Sequence, residues 1–372
     1  MVCLKYLVSH LAMRPLFHPR LIHDPFGDPG LYVAWMHGRR SLLFDLPELS
    51  PLPPGDLLRV SHAFISHTHM DHFVGLDRLV RLNLGRSKRL RLFGPHPLLE
   101  QTSARLRSYT WNLVSGYKER LVIEVNQVRG DVLERAVLDC RQGFEDSGMR
   151  DLSPFDGILW EESGMRVRAA LLDHKVPSMA FCLEEPIHVQ VLKGKLEEHG
   201  LQRGSWLRRL REALLEGAPP DLPVEVRPPG RGPIPLGWLR EHLVRFSRGQ
   251  RIGYVVDAAP SKENARRIVE LVRGADVLFI EAPFPEREYQ RARQRAHLTA
   301  LRAGTIAAMA RVSKVVPFHF SPKYGPDPSS LQEEVQVGFQ SLVKGPTQEI
   351  PFRGIPHDKA CDSNQEGTDH GS

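Results

Sequence analysis

Three histidines and an aspartate fall within six residues, His67-Thr68-His69-Met70-Asp71-His72. Residues 60–65 before them read as a strand. Phe73, Leu76, Val80 and Leu84 after them recur at helical spacing, with Arg78 and Arg81 on another face. A loop between a strand and a helix lets side chains converge without being buried. In extended backbone His67 and His69 point to one side, while Asp71 and His72 turn back toward a neighbouring position. Imidazoles and a carboxylate suit a borderline-soft divalent cation, zinc first and manganese as the alternative, and one loop can serve two ions.

The elements that must hold this loop alternate. Strand-like runs cover residues 31–35, 41–44, 121–125, 166–172, 180–184, 251–256, 277–280 and 314–318, and helix-like segments follow at 261–272, with Ser261 as N-cap, and 298–310. Strands alternating with amphipathic helices predict an α/β sandwich, and no internal repeat suggests a solenoid. At 372 residues the chain can bury a large core as one α/β domain or two. The cysteines, Cys3, Cys140, Cys182 and Cys361, form no close pair, which argues against disulfides or a zinc ribbon and for a reducing cytoplasm. No apolar run approaches the roughly 20 residues needed to span a bilayer.

Residues 1–20 read as a leader without a catalytic role, Met13 being an alternative start, and the polar tail at 357–372 reads as disordered. The main domain is expected over 21–356. Within it, residues 191–251 hold short helical runs (191–199, 205–216 and 236–246) between Gly/Pro-rich stretches. With 12 Lys and Arg against 7 Asp and Glu, this segment carries +5 of the chain's net +6, a basic insertion in the main fold. His23, in the turn-rich residues 23–30, reads as structural, with a place near the metals as the alternative. Ser108-Tyr109-Thr110-Trp111-Asn112 reads as a packed turn, with Tyr109 or Trp111 as alternative cleft residues.

The His67–His72 run resembles the first signature of the metallo-β-lactamase superfamily, and later segments resemble its ribonuclease Z group in the same order along the chain. They are His174-Lys175-Val176-Pro177, Tyr254-Val255-Val256-Asp257, Phe279-Ile280-Glu281-Ala282-Pro283-Phe284, Ala296-His297-Leu298-Thr299 and Val316-Pro317-Phe318-His319. The resemblance implies an αββα sandwich. It further implies one ion held by His67, His69 and His174, a second by Asp71, His72 and His319, and Asp257 bridging them. A shared, metal-activated hydroxide would be the nucleophile, with Asp71 orienting it. His297 would protonate the leaving group, oriented and charged by Glu281. Read without the resemblance, Asp257 could instead cap the following helix, and His297 and Glu281 could be structural.

Two departures from the group's pattern bear on the substrate. Asp45-Leu46-Pro47-Glu48-Leu49 stands where an acidic Gly-Thr-Gln run is usual, and Asp257 lies between Val256 and Ala258 instead of Gly and Thr. The basic insertion, around Leu201-Gln202-Arg203-Gly204-Ser205-Trp206, looks like the arm with which ribonuclease Z grips tRNA. There Arg208, Arg209 and Arg211 would pair with phosphates and Trp206 would supply an aromatic platform, a solvated helix face being the alternative.

The expected function is a two-metal phosphodiesterase that cuts RNA, with the 3′ trailer of precursor tRNA as substrate. It would work in the cytoplasm, with no membrane partner, as the homodimer that the resemblance suggests. A small-molecule hydrolase (lactonase, thioesterase or cyclic-nucleotide phosphodiesterase) is the alternative, and an RNA-binding module that keeps its metals for stability is a third reading.

Overall fold

The structure is a computed structural model describing residues 15–35, 40–162, 164–228 and 232–341. The expected tail and residues 1–14 of the expected leader lie outside the described residues. Eight strands form the first sheet in sequence order: β1 (Phe17–Leu21), β2 (Leu31–Trp35), β3 (Ser41–Phe44), β4 (Val60–Phe64), β5 (Lys88–Pro95), β6 (Leu121–Arg129), β7 (Val132–Asp139) and β8 (Asp151–Pro154). The run β3 to β6 is parallel and the outer pairs are antiparallel. The chain then builds β9 (Ile158–Glu162), β10 (Met165–Asp173) and β11 (Pro177–Glu184). It leaves through β12 (Ile187–Val191), the short pair β13 (Pro223–Val224) and β14 (Ile234–Pro235), and β15 (Val244–Arg248). It returns as β16 (Arg251–Val255), β17 (Val277–Glu281) and β18 (Val315–Phe318). The second sheet has the order β18-β17-β16-β11-β10-β9.

Period-two burial explains the layers. In β3, Leu42 and Phe44 enter the core between the sheets while Leu43 faces the helices outside; in β17, Phe279 faces inward while Leu278 and Ile280 face outward. Helices Leu76–Asn83 and Leu98–Arg107 cover the outer face of the first sheet, and Lys262–Val272 and Ala300–Met309 that of the second. The result is an αββα sandwich. Ser261 caps the helix after it, its side chain accepting from the Asn264 N–H.

Three details depart from expectation. Residues 17–20, read as part of a leader, belong to β1. Leu16 and Phe17 are buried between the sheets, and the Gln250 side chain bonds both backbone groups of Phe17. The helical run after His72 is two pieces, Met70–Phe73 and Leu76–Asn83, and Leu84 is already extended. The helix expected over 236–246 stops at Leu243, because Val244–Arg248 pair with β12 as a strand.

The β12/β15 ribbon is the stem of the insertion. Above it, helices Lys193–Glu198, Trp206–Leu215 and Leu236–Leu243 enclose a core of their own, including Leu196, Leu210, Leu239 and Leu243, separate from the three cores of the sandwich.

The histidine loop is fixed from below. The Leu46 N–H donates to the His72 carbonyl (2.8 Å) and the Gly75 N–H to the Leu46 carbonyl (2.9 Å). At this crossing a Cβ on Gly75 would lie 2.1 Å from the Pro47 carbonyl oxygen, closer than real contacts allow. Gly75→Ala is therefore expected to destabilise the protein by about 1–3 kcal/mol, the usual cost of overpacking, read as a lower urea midpoint at unchanged slope. An unchanged midpoint would show that the two backbones are not in contact.

Candidate metal centre

The candidate metal ligands and Glu281 lie at one end of the sandwich, because each ends or follows a strand running in the same direction within its sheet; His297 joins them from the turn after helix Tyr289–Arg295. Asp45 follows β3, His67 to His72 follow β4, His174 follows β10, Asp257 follows β16, Glu281 ends β17 and His319 follows β18. In each sheet these strands are parallel, directly or through an antiparallel neighbour. Several of the turns are tight. Asp45, Asp257 and His319 have φ of 60°, 46° and 58°, a left-handed conformation that costs a non-glycine residue about 1–3 kcal/mol unless its surroundings impose it.

Potential ligand atoms of His67, His69, His174 and Asp257 lie within 4.8 Å of one another, and so do those of Asp71, His72 and His319. Asp257 stands between the groups. Its Oδ2 is 3.5, 3.4 and 3.2 Å from Nε2 of His67, His72 and His174, and its Oδ1 is 3.2 Å from Nδ1 of His319. Asp71 Oδ2 lies 3.4 Å from His72 Nε2 and 3.8 Å from His319 Nε2.

The far ring nitrogens are held by other groups, which sets the direction of each imidazole. His174 Nδ1 bonds the Ala296 carbonyl (2.8 Å), and His72 Nδ1 bonds Asp45 Oδ2 (2.9 Å). Asp45 is fully buried and also accepts from the Ser66 N–H, the Ser66 hydroxyl and the Tyr254 hydroxyl. The buried Asn264 side chain ties the turn before His174 to the turn after Asp257, accepting from the Asp173 N–H and donating to the Asp173 and Ala259 carbonyls.

Buried polar atoms left without hydrogen-bond partners identify what this space is suited to hold. His67 Nε2, His72 Nε2, Asp257 Oδ1 and His319 Nδ1 are such atoms, and leaving each unpaired would cost about 1–3 kcal/mol. Cations resolve all four at once, so the residues fit divalent metal. Burial, together with the neighbouring His72, pushes the His67 pKa down to about 2, so its imidazole is neutral as a ligand must be. Burial opposes charge on Asp257 too, but His72 and His319 outweigh it and hold that carboxyl well below the usual range.

His297 stands beside this cluster. Its Nδ1 is 2.6 Å from Glu281 Oε2, and its ring centroid is 4.9 Å from that of His174 and 5.9 Å from that of His319. Burial disfavours its charged form, yet the adjacent Glu281 carboxylate outweighs burial and pushes the His297 pKa up to about 9. The other Glu281 oxygen accepts from the Ala258 and Leu298 N–H groups, so one buried acid joins the Asp257 turn to the His297 turn. Ser261, not Asp257, caps the helix after it, and Thr299 caps the helix after His297, while Glu281 does have the structural role that was its alternative.

Other candidates lie apart. His23 bonds the Glu48 carbonyl (2.7 Å) and is in neither ligand group. Trp111 donates to the Leu106 carbonyl and packs edge-on against Phe144, with Tyr109 beside it. Trp206 is not a platform. It is 1% exposed and its Nε1 donates to the Gln202 carbonyl, because the helix turns Trp206 and Leu210, four residues apart, into the core of the insertion. That geometry leaves Arg208 and Arg209 exposed and Arg211 half-buried, its Nε donating to the Val189 carbonyl. Sequence reasoning missed the support residues Ser66, Tyr254 and Asn264, and it noted Asp45 only as a departure.

No family model matches the chain. A ribonuclease Z of Deinococcus radiodurans is 28% identical over 309 residues, covering 82% of this chain and 90% of that relative. One of Prochlorococcus marinus is 28% identical over 304 residues, covering 77% and 79%. Among solved structures, the metallo-β-lactamase fold protein YhfI from Bacillus subtilis is 14% identical with a TM-score of 0.49, over 86% of this chain and 91% of its own. The sequence likeness to the ribonuclease Z group thus extends over most of the chain, well beyond the motifs that announced it.

Because Asp45 orients His72 from behind, Asp45→Asn is expected to weaken metal binding by about 10- to 100-fold in chelator competition. Equal affinity in the variant would remove Asp45 from the support of the site.

Proposed function

We propose that this protein is a metal-dependent endoribonuclease of the ribonuclease Z kind, hydrolysing a phosphodiester at the 3′ trailer of precursor tRNA. The observation that carries the reading is the Glu281–His297 pair set beside a two-lobed cluster of metal donors. His67, His69 and His174 would hold one ion, Asp71, His72 and His319 the other, and Asp257 would touch both. Zinc suits this donor set, with manganese as the alternative. Ions bound there would acidify water to a pKa of about 7 and polarise a phosphoryl oxygen.

The chain's own residues supply the rest. Hydrolysis joins a water oxygen to phosphorus and breaks the bond to the leaving oxygen. His297, kept protonated by Glu281, gives that oxygen its proton, and the proton lost by water recharges the imidazole through solvent. Asp71, half-exposed at the mouth of the cluster, orients the water. Arg208 and Arg209 on the outer face of the insertion would meet the body of the RNA. Support for RNA comes from the relatives named ribonuclease Z and from this basic insertion. Among the described residues no helix is long and apolar enough to cross a membrane. Work in the cytoplasm, as a homodimer, goes with this reading.

Two measurements test it. His297→Ala is expected to lower the turnover of precursor tRNA by about 10²- to 10⁴-fold while bound metal stays constant, and full turnover in the variant would end the proton-donor assignment. Removing residues 192–243 and closing the β12/β15 stem with a short turn spares the three cores of the sandwich. The shortened protein should lose precursor cleavage and keep activity on bis(p-nitrophenyl) phosphate. If the full chain cleaves a lactone or thioester and no RNA, the small-molecule hydrolase is the correct reading.

A further inference from the structure

A cleft of about 330 Å³ opens beside the centre. His297 and His319 line it together with Arg291, Arg295, Phe26 and Phe284. The arginines come from helix Tyr289–Arg295, which joins the Glu281 strand end to the His297 turn. They are four residues apart, hence on one face of the helix, and both are exposed. Arg291 lies 3.6 Å from Glu288 and 5.9 Å from the centre of the Phe284 ring, so its guanidinium is braced from behind. Arg295 has no ion pair or hydrogen bond among the described residues, and the one carboxylate lining the cleft is Asp28.

Two like charges one turn apart on a helix weaken it by a few tenths of a kcal/mol, and here they face a cleft that already holds His297. Arg291 is partly compensated by Glu288 and Phe284, and Arg295 by the helix C-terminus, but among the described residues no carboxylate pairs with Arg295. An anion entering the cleft reverses the sign, and a planar guanidinium pair is suited to the oxygens of a phosphate. The phosphate being cut would be held by the ions that the donor cluster binds, so these arginines are available for another.

We propose that Arg291 and Arg295 clamp a backbone phosphate adjacent to the scissile one, on the side where His297 meets the leaving oxygen. The preferred substrate is then a nucleotide chain with at least one further phosphate on that side. The clamp rests on the ribonuclease reading and narrows it.

The test uses metal-depleted full-length protein and a fluorescent single-stranded RNA oligonucleotide, with affinity followed by anisotropy across a potassium chloride series. Arg291→Ala/Arg295→Ala together should weaken binding roughly tenfold and make the slope of log K against log salt shallower by about 0.7, the signature of one lost single-strand phosphate contact. Arg266→Ala serves as control, since Arg266 is paired with Glu263 and Glu270 on another helix, and it should match wild type. Should the double variant melt early, Arg295→Gln alone must still give part of the affinity loss. Unchanged affinity and slope in a folded variant overturn the clamp while leaving the ribonuclease reading intact. Absence of oligonucleotide binding by the wild type also overturns the clamp, whereas the ribonuclease reading falls only if the metal-loaded protein fails to cleave precursor tRNA.

Discussion

A buried carboxylate surrounded by imidazoles is the constraint on which the rest depends. Asp257, on the turn after β16, is 3% exposed and has four histidines within 3.5 Å, on turns that follow β4, β10 and β18. Such a charge persists in a low-dielectric interior only if its surroundings are fixed. The parallel strands deliver the donors to one end, and Asp45, Glu281 and Asn264 then hold the turns against one another. The left-handed backbone at Asp45, Asp257 and His319 is part of the same arrangement, a local strain that the packed sandwich sustains.

Glu281 couples this centre to the group beside it. One oxygen braces the backbone of both the Asp257 and the His297 turns, and the other keeps the His297 imidazole charged. The same acid is therefore structural and electrostatic. Glu281, itself inaccessible to solvent, thus fixes the Asp257 turn and the His297 imidazole relative to one another.

Much of this was legible in the sequence, and the reason is local. His67 to His72 are contiguous, and His174, Asp257 and His319 each close an apolar run that can only be a buried strand. That these positions converge was implied by the resemblance of their segments, in order, to the ribonuclease Z group. Asp45 was harder to see, since its partners Ser66, His72 and Tyr254 lie 21, 27 and 209 residues away and nothing near it in the sequence signals a buried acid. β5 was missed because Lys88, Arg89 and Arg91 break its apolar pattern, although Leu90, Leu92 and Phe93 are buried. Trp206 was misplaced for a different reason. Its spacing to Leu210 does mark an inward helix face, but the neighbouring arginines suggested an outward one.

The insertion joins the sandwich through two adjacent strands and encloses its own apolar core. A module tethered in this way carries its own local stability, set by its own core. The insertion and the candidate metal centre are thus built on separate apolar cores. Drift in the length or charge of the outer unit leaves the strained turns of the inner one untouched, so such a protein can change what it grips without relearning how to cut.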